Sequence, residues 1–328
     1  MASVSPYSRF RPGPLLAAAP AVMILAGCDT RQSALHPAGE EAAEVATLFW
    51  VMTGAGALIW LIVMGFAVYA VMGRNRPQTE RFADRFIIAG GVAFPTIVLA
   101  LLLVFGLSLL PSWTEDDVPD LRIHVSGEQY FWRIGYERAD GTIVETANEV
   151  HLPVNATAEF VITSPDVIHS FWIPALGGKM DAIPGRTNVL RLRPTKTGVY
   201  RGVCAEFCGP SHALMAFDVE VHEPDAFADW LRQQAEPAVA VDVAFVRSGC
   251  AGCHTVRGIS EVSSIGPDLT HFASRRTFAA ATLRNTPDSL RRWLTDPKGI
   301  KPGAHMPSFA MLPDDEIEAL VTFLGELR

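Results

Sequence analysis

The sequence predicts a multidomain membrane protein: a hairpin of two transmembrane helices, an all-β Greek-key domain and a C-terminal all-α domain. Three observations predict it. Residues 45–73 and 86–114 form two stretches, each 29 residues long, without a charged side chain. From residue 118 to about 225, short segments alternate apolar and polar, as in Leu121-Arg-Ile-His-Val125, Glu159-Phe-Val-Ile-Thr163 and Asn188-Val-Leu-Arg-Leu192. Pro, Gly and Asn punctuate these segments at the intervals of a Greek-key barrel or sandwich. Beyond Pro237 the alternation stops and helical periodicity returns. At 328 residues the chain holds two soluble domains beside its membrane segments.

The first element is an export signal. Arg9 and Arg11 make a basic start, and residues 15–26 an apolar run too short to span a bilayer. The ending Leu25-Ala26-Gly27-Cys28 resembles the bacterial lipobox, which implies a lipid-modified Cys28 as the mature first residue. A plain signal peptide cut nearby, or an uncleaved segment, is the alternative. Asp29 resembles the inner-membrane retention signal of Gram-negative lipoproteins.

The two charge-free stretches come next. About 20 apolar residues cross ~30 Å of hydrocarbon, so helices are expected over about 45–73 and 86–110, with a kink at Pro95. Arg74, Arg76, Arg81 and Arg85 lie between them, whereas Glu40, Glu41 and Glu44 precede the first. The positive-inside rule places the connection in the cytoplasm and both soluble domains outside, as expected for a multi-pass protein of the bacterial plasma membrane. The expected divisions are 1–27 signal, 28–114 N-terminal segment and membrane helices, 115–225 β domain, 226–238 linker and 239–328 helical domain. The net charge of −8 is concentrated in residues 111–238, with 10 basic against 19 acidic side chains, while residues 239–328 carry 10 of each. An acidic middle domain excludes nucleic acid as a partner. It either attracts a basic protein or serves solubility alone.

Metal-ligating residues sit where the β domain exposes loops. His169 lies in D-V-I-H-S-F-W, and Cys204, Cys208, His212 and Met215 lie in C-A-E-F-C-G-P-S-H-A-L-M. A mononuclear blue-copper site uses one Cys, two His and a weak Met. A second Cys, four residues from the first, allows two thiolates to bridge two coppers, one His on each. Met215 and a loop carbonyl then fill the weak positions. A disulfide explains neither the histidines nor Met215, and a zinc site is the other alternative.

These stretches, together with K-M-D-A-I-P-G-R from Lys179 to Arg186, resemble subunit II of the haem-copper cytochrome c oxidases over residues ~40–225. The resemblance implies a cupredoxin-like domain with a dinuclear copper A centre. Cys204 and Cys208 would bridge the coppers, His169 and Met215 complete one ion, and His212 and the Glu206 backbone oxygen complete the other. It also implies magnesium on the Glu206 carboxylate at the contact with subunit I. Two departures stand out. Gly127-Glu-Gln-Tyr-Phe-Trp132 replaces the family's G-x-Q-W-x-W, so Tyr130, with Trp132 behind it, stands where an exposed Trp accepts electrons from cytochrome c. Ile88 occupies the position of a Glu associated with proton uptake.

Cys250-Ala-Gly-Cys253-His254 provides two thioether-forming cysteines and an axial imidazole for a covalent haem c. Gly266-Pro-Asp-Leu269 resembles the loop whose Pro carbonyl orients the proximal imidazole in class I cytochromes c, and Lys301-Pro-Gly-Ala-His-Met-Pro307 the distal Met loop. Met306 is the expected sixth ligand and His305 its competitor. Met311 is expected in the core, and a closing helix over 314–327. His36, His124, His151, His222 and His271 lack ligand-like neighbours in sequence. The whole resembles an oxidase subunit II with a fused cytochrome c. It would receive electrons from a basic cytochrome c or another donor and work with subunits I and III in a lipid membrane. A copper A subunit of a nitric oxide reductase and a membrane-tethered electron carrier are the alternatives.

Intact mass spectrometry is expected to find a mature chain starting at a diacylated Cys28 and carrying one covalent haem. A mature terminus upstream of Cys28, or one without lipid, contradicts the lipobox assignment.

Overall fold

The computed structural model describes residues 31–73, 79–108, 118–238, 243–261 and 265–328. The export segment, Cys28, Arg74 and Arg76 lie outside the described residues. Helix α1 (Glu40–Met72) and helix α2 (Glu80–Ser108) are the two long apolar helices, and both are long enough to cross a bilayer. Helix α1 starts five residues before the charge-free stretch because its first turns are seated on the β domain. Ala42 and Ala46 are buried there, the Ala42 N–H donates to the Leu176 carbonyl (3.2 Å), and the Ala38 N–H to that of Ala175 (2.7 Å). Helix α2 begins at Glu80 and takes Arg81 and Arg85 into its opening turns. Its irregularity is a π-helical turn at Ala89–Ala93, just before Pro95. Proline has no N–H to donate to the preceding turn, and such a turn is one way a helix absorbs the loss.

The all-β domain is a sandwich of two five-stranded sheets. One sheet has the order β3-β2-β1-β5-β8: Ile143–Ala147, Phe131–Glu137, Leu121–Glu128, Ala158–Thr163 and Asn188–Leu192. The other has the order β4-β10-β9-β6-β7: Glu149–Pro153, Ala216–His222, Gly198–Cys204, His169–Trp172 and Lys179–Ala182. Parallel pairings β1·β5 and β4·β10 between antiparallel neighbours give it Greek-key connectivity. Period-two burial on β1 puts Leu121, Ile123 and Val125 inside. The sheets close over Trp132, Phe160, Phe171 and Phe217, all fully buried, with Phe171 and Phe217 stacked at 4.7 Å. Helix α3 (Pro224–Ala235) occupies most of the stretch expected as a linker. It packs on this core through Phe227, and Trp230 lies edge-on to Tyr136 at 5.1 Å.

The C-terminal domain contains α4 (Val243–Arg247), a hairpin of β11 (Thr277–Phe278) and β12 (Leu283–Arg284), α5 (Pro287–Thr295), α6 (Pro297–Ile300) and the closing helix α7 (Asp314–Glu326). Thr286 caps α5 by accepting from the Ser289 N–H at 3.3 Å. Phe245, Leu290, Leu294, Leu320, Phe323 and Leu324 form its core. Met311 does not join them. It is 77% exposed, because Phe309 and Leu312 take the inward positions of that turn.

The helical domain lies directly against the sandwich. Arg275, 5% exposed at its side chain, bonds Glu149 (3.3 Å), Thr146 (3.2 Å) and the Asp268 carbonyl (2.7 Å). Arg257 reaches the Glu145 carbonyl (3.3 Å) while pairing with Asp268 (3.0 Å). Part of the sandwich's negative charge, at Glu149, is therefore met by an arginine of the helical domain. The hairpin tip Ala279–Ala280–Ala281 holds three successive left-handed residues (φ 52°, 57° and 55°). Such backbone costs on the order of 1 kcal/mol per residue. Each carbonyl of the tip accepts a bond: from Lys301 Nζ (3.0 Å), the Ala216 N–H (3.2 Å) and Arg201 (3.4 Å).

Arg275→Ala leaves the buried Glu149 carboxylate without its cation, and a loss of about 3–5 kcal/mol is expected. Thermal unfolding of the holoprotein measures it. Adding Glu149→Gln in the same chain is expected to recover part of that loss by removing the stranded charge.

Candidate electron-transfer sites

The first cluster is built on β6, the end of β9 and the loop leading to β10. His169 is fully buried, Cys204 is 6%, Cys208 4% and Met215 1% exposed. Cys204 Sγ lies 3.9 Å from Cys208 Sγ, 3.9 Å from His169 Nδ1 and 3.2 Å from the Glu206 carbonyl oxygen. Cys208 Sγ lies 3.7 Å from His212 Nδ1 and 3.8 Å from Met215 Sδ. All six sequence-predicted ligands therefore converge. At 3.9 Å the two sulfurs are unbonded, which is incompatible with a disulfide at about 2.05 Å.

His169 Nε2 faces the Asp166 carboxylate at 2.9 Å, so it carries the proton and leaves Nδ1 bare toward the sulfurs. Burial works against a charged His169, but Cys204 and Asp166 outweigh it and raise its pKa. The thiol pair is biased toward sharing one proton. The hydrogen bond from Cys208 pushes Cys204 down to about 3 against burial, helped by His169, and the same interaction raises Cys208. Two thiolates, two imidazoles, a thioether and a carbonyl in a buried pocket form a soft donor set suited to a dinuclear copper centre. Gly209, at φ +130°, lets the loop pass Tyr130, whose hydroxyl occupies the space a Cβ would need. The Glu206 carboxylate and Phe207 face outward, Phe207 at 75% exposure.

The second cluster surrounds a cavity of about 310 Å³ between the helical domain and the sandwich, lined by Cys250, Cys253, His254, His305, Met306 and apolar side chains including Leu269, Phe278 and Trp293. His254 Nδ1 donates to the Pro267 carbonyl at 2.8 Å, so the neutral ring has a bare Nε2 for iron. Burial lowers the pKa of His254 and favours that neutral form. A Cβ on Gly266 would approach the His254 ring to 2.7 Å, so only glycine fits beside it. Met306 packs against the domain core, whereas its neighbour His305 is exposed. Both cysteines, one bare imidazole nitrogen and a thioether around one apolar cavity fit a haem.

The sites meet at Tyr130. The residue expected at an exposed electron-accepting position is 6% exposed, because the helical domain covers it, and it lines the haem cavity. Trp132 is fully buried beneath His169, ring centroids 6.0 Å apart. Sequence reasoning also missed the pairing of His151 with His222, 2.8 Å apart across β4 and β10. The remaining three histidines have ordinary partners: His36 with Ser33, His124 with Glu137, and His271 with the Glu236 carbonyl.

The chain is similar to known proteins in both soluble parts. Residues 133–222 match the family described as cytochrome c oxidase subunit II, periplasmic domain, and residues 241–328 match the cytochrome c family. Cytochrome c oxidase subunit 2 of Alkalihalophilus pseudofirmus is 31% identical over 346 residues, spanning 98% of this chain and 97% of its own. That of Bacillus subtilis is 29% identical over 96% of each chain. The solved periplasmic domain of cytochrome oxidase subunit II from Bradyrhizobium japonicum is 36% identical over 36% of this chain and 94% of its own, with a TM-score of 0.34.

Cys204→Ser and Cys208→Ser are each expected to abolish a delocalised two-copper signal, since a bridging thiolate serves both ions. Electron paramagnetic resonance of the oxidised wild-type protein is expected to give a seven-line copper pattern. A four-line pattern with one copper per chain would instead indicate a mononuclear site.

Proposed function

The chain belongs to the cytochrome c oxidase subunit II family, and we propose that it is the electron-input subunit of a proton-pumping respiratory oxidase with its donor domain built in. When bound, the haem and the copper pair supply one-electron couples, and on this reading electrons from an upstream donor use them in that order on the way to subunit I, where O₂ is reduced to water. Cys250 and Cys253 would attach the haem covalently, His254 and Met306 would hold its iron, and the Glu206 carboxylate would hold magnesium at the subunit I contact. Both soluble domains lie on the extracytoplasmic side of the bacterial plasma membrane, and subunit III completes the core.

The observation that carries this reading is the direct bonding between the two ligand loops. Ser211, one residue before the copper ligand His212, donates its hydroxyl to the Pro302 carbonyl at 2.5 Å. Lys301, at the start of the distal loop, donates to the Tyr130 carbonyl at 2.6 Å. Gln129 then donates its side-chain amide to the Cys208 carbonyl at 2.6 Å. A short bonded path thus joins the Met306 loop to a copper-bridging cysteine. The even charge of the helical domain fits a donor that is tethered, since a tether supplies an effective concentration of about millimolar without long-range steering.

Met306→Ala is expected to stop turnover, because loss of the thioether lowers the haem potential. Tyr130→Phe keeps the ring and the backbone carbonyl that Lys301 uses, so it is expected to leave internal transfer within a few-fold of wild type. Stopped-flow reduction of the holoprotein, with the two centres followed at their own absorbances, measures both. Normal turnover in Met306→Ala with failure in Tyr130→Phe would mean that electrons reach the sandwich directly.

A further inference from the structure

At the far end of β10, six residues and roughly 20 Å of strand from the copper ligand loop, lies a second group of metal-ligating side chains. Strands β4 and β10 run parallel with Glu220 opposite His151, and His222, two residues on, projects from the same face as Glu220. One ligand atom from each of His151, Glu220 and His222 lies within 4.8 Å of the others. We propose that these three residues bind a divalent transition-metal ion of the zinc class, at a site separate from the copper centre.

Three observations carry this. His151 Nδ1 and His222 Nε2 approach to 2.8 Å head-on, their rings nearly coplanar at 9°, so the two imidazoles already share one hydrogen-bonded contact beside Glu220. On its other side, His151 Nε2 lies 3.5 Å from the Glu149 carboxylate, the arrangement that fixes a ligating imidazole with its bare nitrogen toward a metal. Glu149 is itself held by Arg275 and Thr146. The Trp230 indole stacks on the His151 ring at 4.0 Å and 8°, fixing its plane.

Two imidazoles and a carboxylate, with a fourth position open, match a three-ligand zinc site. With metal–nitrogen bonds of about 2.0–2.1 Å, tetrahedral binding needs the nitrogens about 3.3 Å apart. Metal binding therefore requires the half-buried His222 ring to turn out of this head-on contact, open the nitrogen pair by about 0.5 Å and carry its proton on Nδ1. Because Glu149 both backs His151 and holds Arg275, the ion would sit behind the contact that docks the helical domain.

Equilibrium dialysis of the copper- and haem-loaded full chain against zinc chloride tests this. One additional zinc per chain is expected. His222→Gln and Glu220→Gln are each expected to weaken it at least tenfold, with copper and haem contents unchanged. Zinc-edge X-ray absorption is expected to find two imidazole nitrogens in the wild type. No additional zinc in the wild type, or variants that bind zinc as tightly as the wild type, would overturn the assignment.

Discussion

Lys301 is the side chain on which the joined architecture depends. It is 2% exposed, and its ammonium donates to one carbonyl from each domain, Tyr130 of the sandwich and Ala279 of the helical hairpin. Burial pushes its pKa down to about 7, with the nearby Cys208 side chain acting in the opposite sense. An ammonium removed from water is costly unless its protons are taken up. The two domains supply those acceptors only when docked. The same lysine begins the loop that carries Met306, so the bond closing the interface also fixes the Met306 loop against the loop of Cys204 and Cys208.

Each metal centre in turn depends on groups that never touch it. Asp166 sets which nitrogen of His169 is bare, and the Pro267 carbonyl does the same for His254. Trp132, two residues beyond the position where a surface aromatic was expected, supports His169 from below and faces Phe171 and Phe217. Gln129 and Ser211 join the copper loop to its surroundings through backbone carbonyls. These second contacts make the sites stiff, and small reorganisation is what a one-electron centre requires.

Sequence made some of this legible and hid the rest for identifiable reasons. Local patterns were readable: the alternation of β1, β5 and β8, the charge-free helices, C-A-G-C-H and the cysteine loop each lie within a few turns of chain. Contacts across long separations were not. Lys301 meets Tyr130 across 171 residues, and His151 meets His222 across 71, with nothing in either local stretch to announce the partner. The start of α1 at Glu40 follows from Ala38 and Ala42 docking at residues 175–176, which hydropathy does not register. Met311 was misplaced because an apolar side chain in a turn competes with its neighbours, and Phe309 and Leu312 fill the space.

The central claim is that the helical domain delivers electrons from a fixed, docked position rather than by swinging on a tether. The rate of electron transfer from haem to copper in the purified holoprotein, followed after flash reduction of the haem, tests it most directly when solvent viscosity and salt are varied. Buried contacts such as Arg275–Glu149 are weakly screened, so a docked pair predicts one first-order rate unchanged by either variable. A rate that falls as viscosity rises, or that changes steeply with salt, would contradict the account.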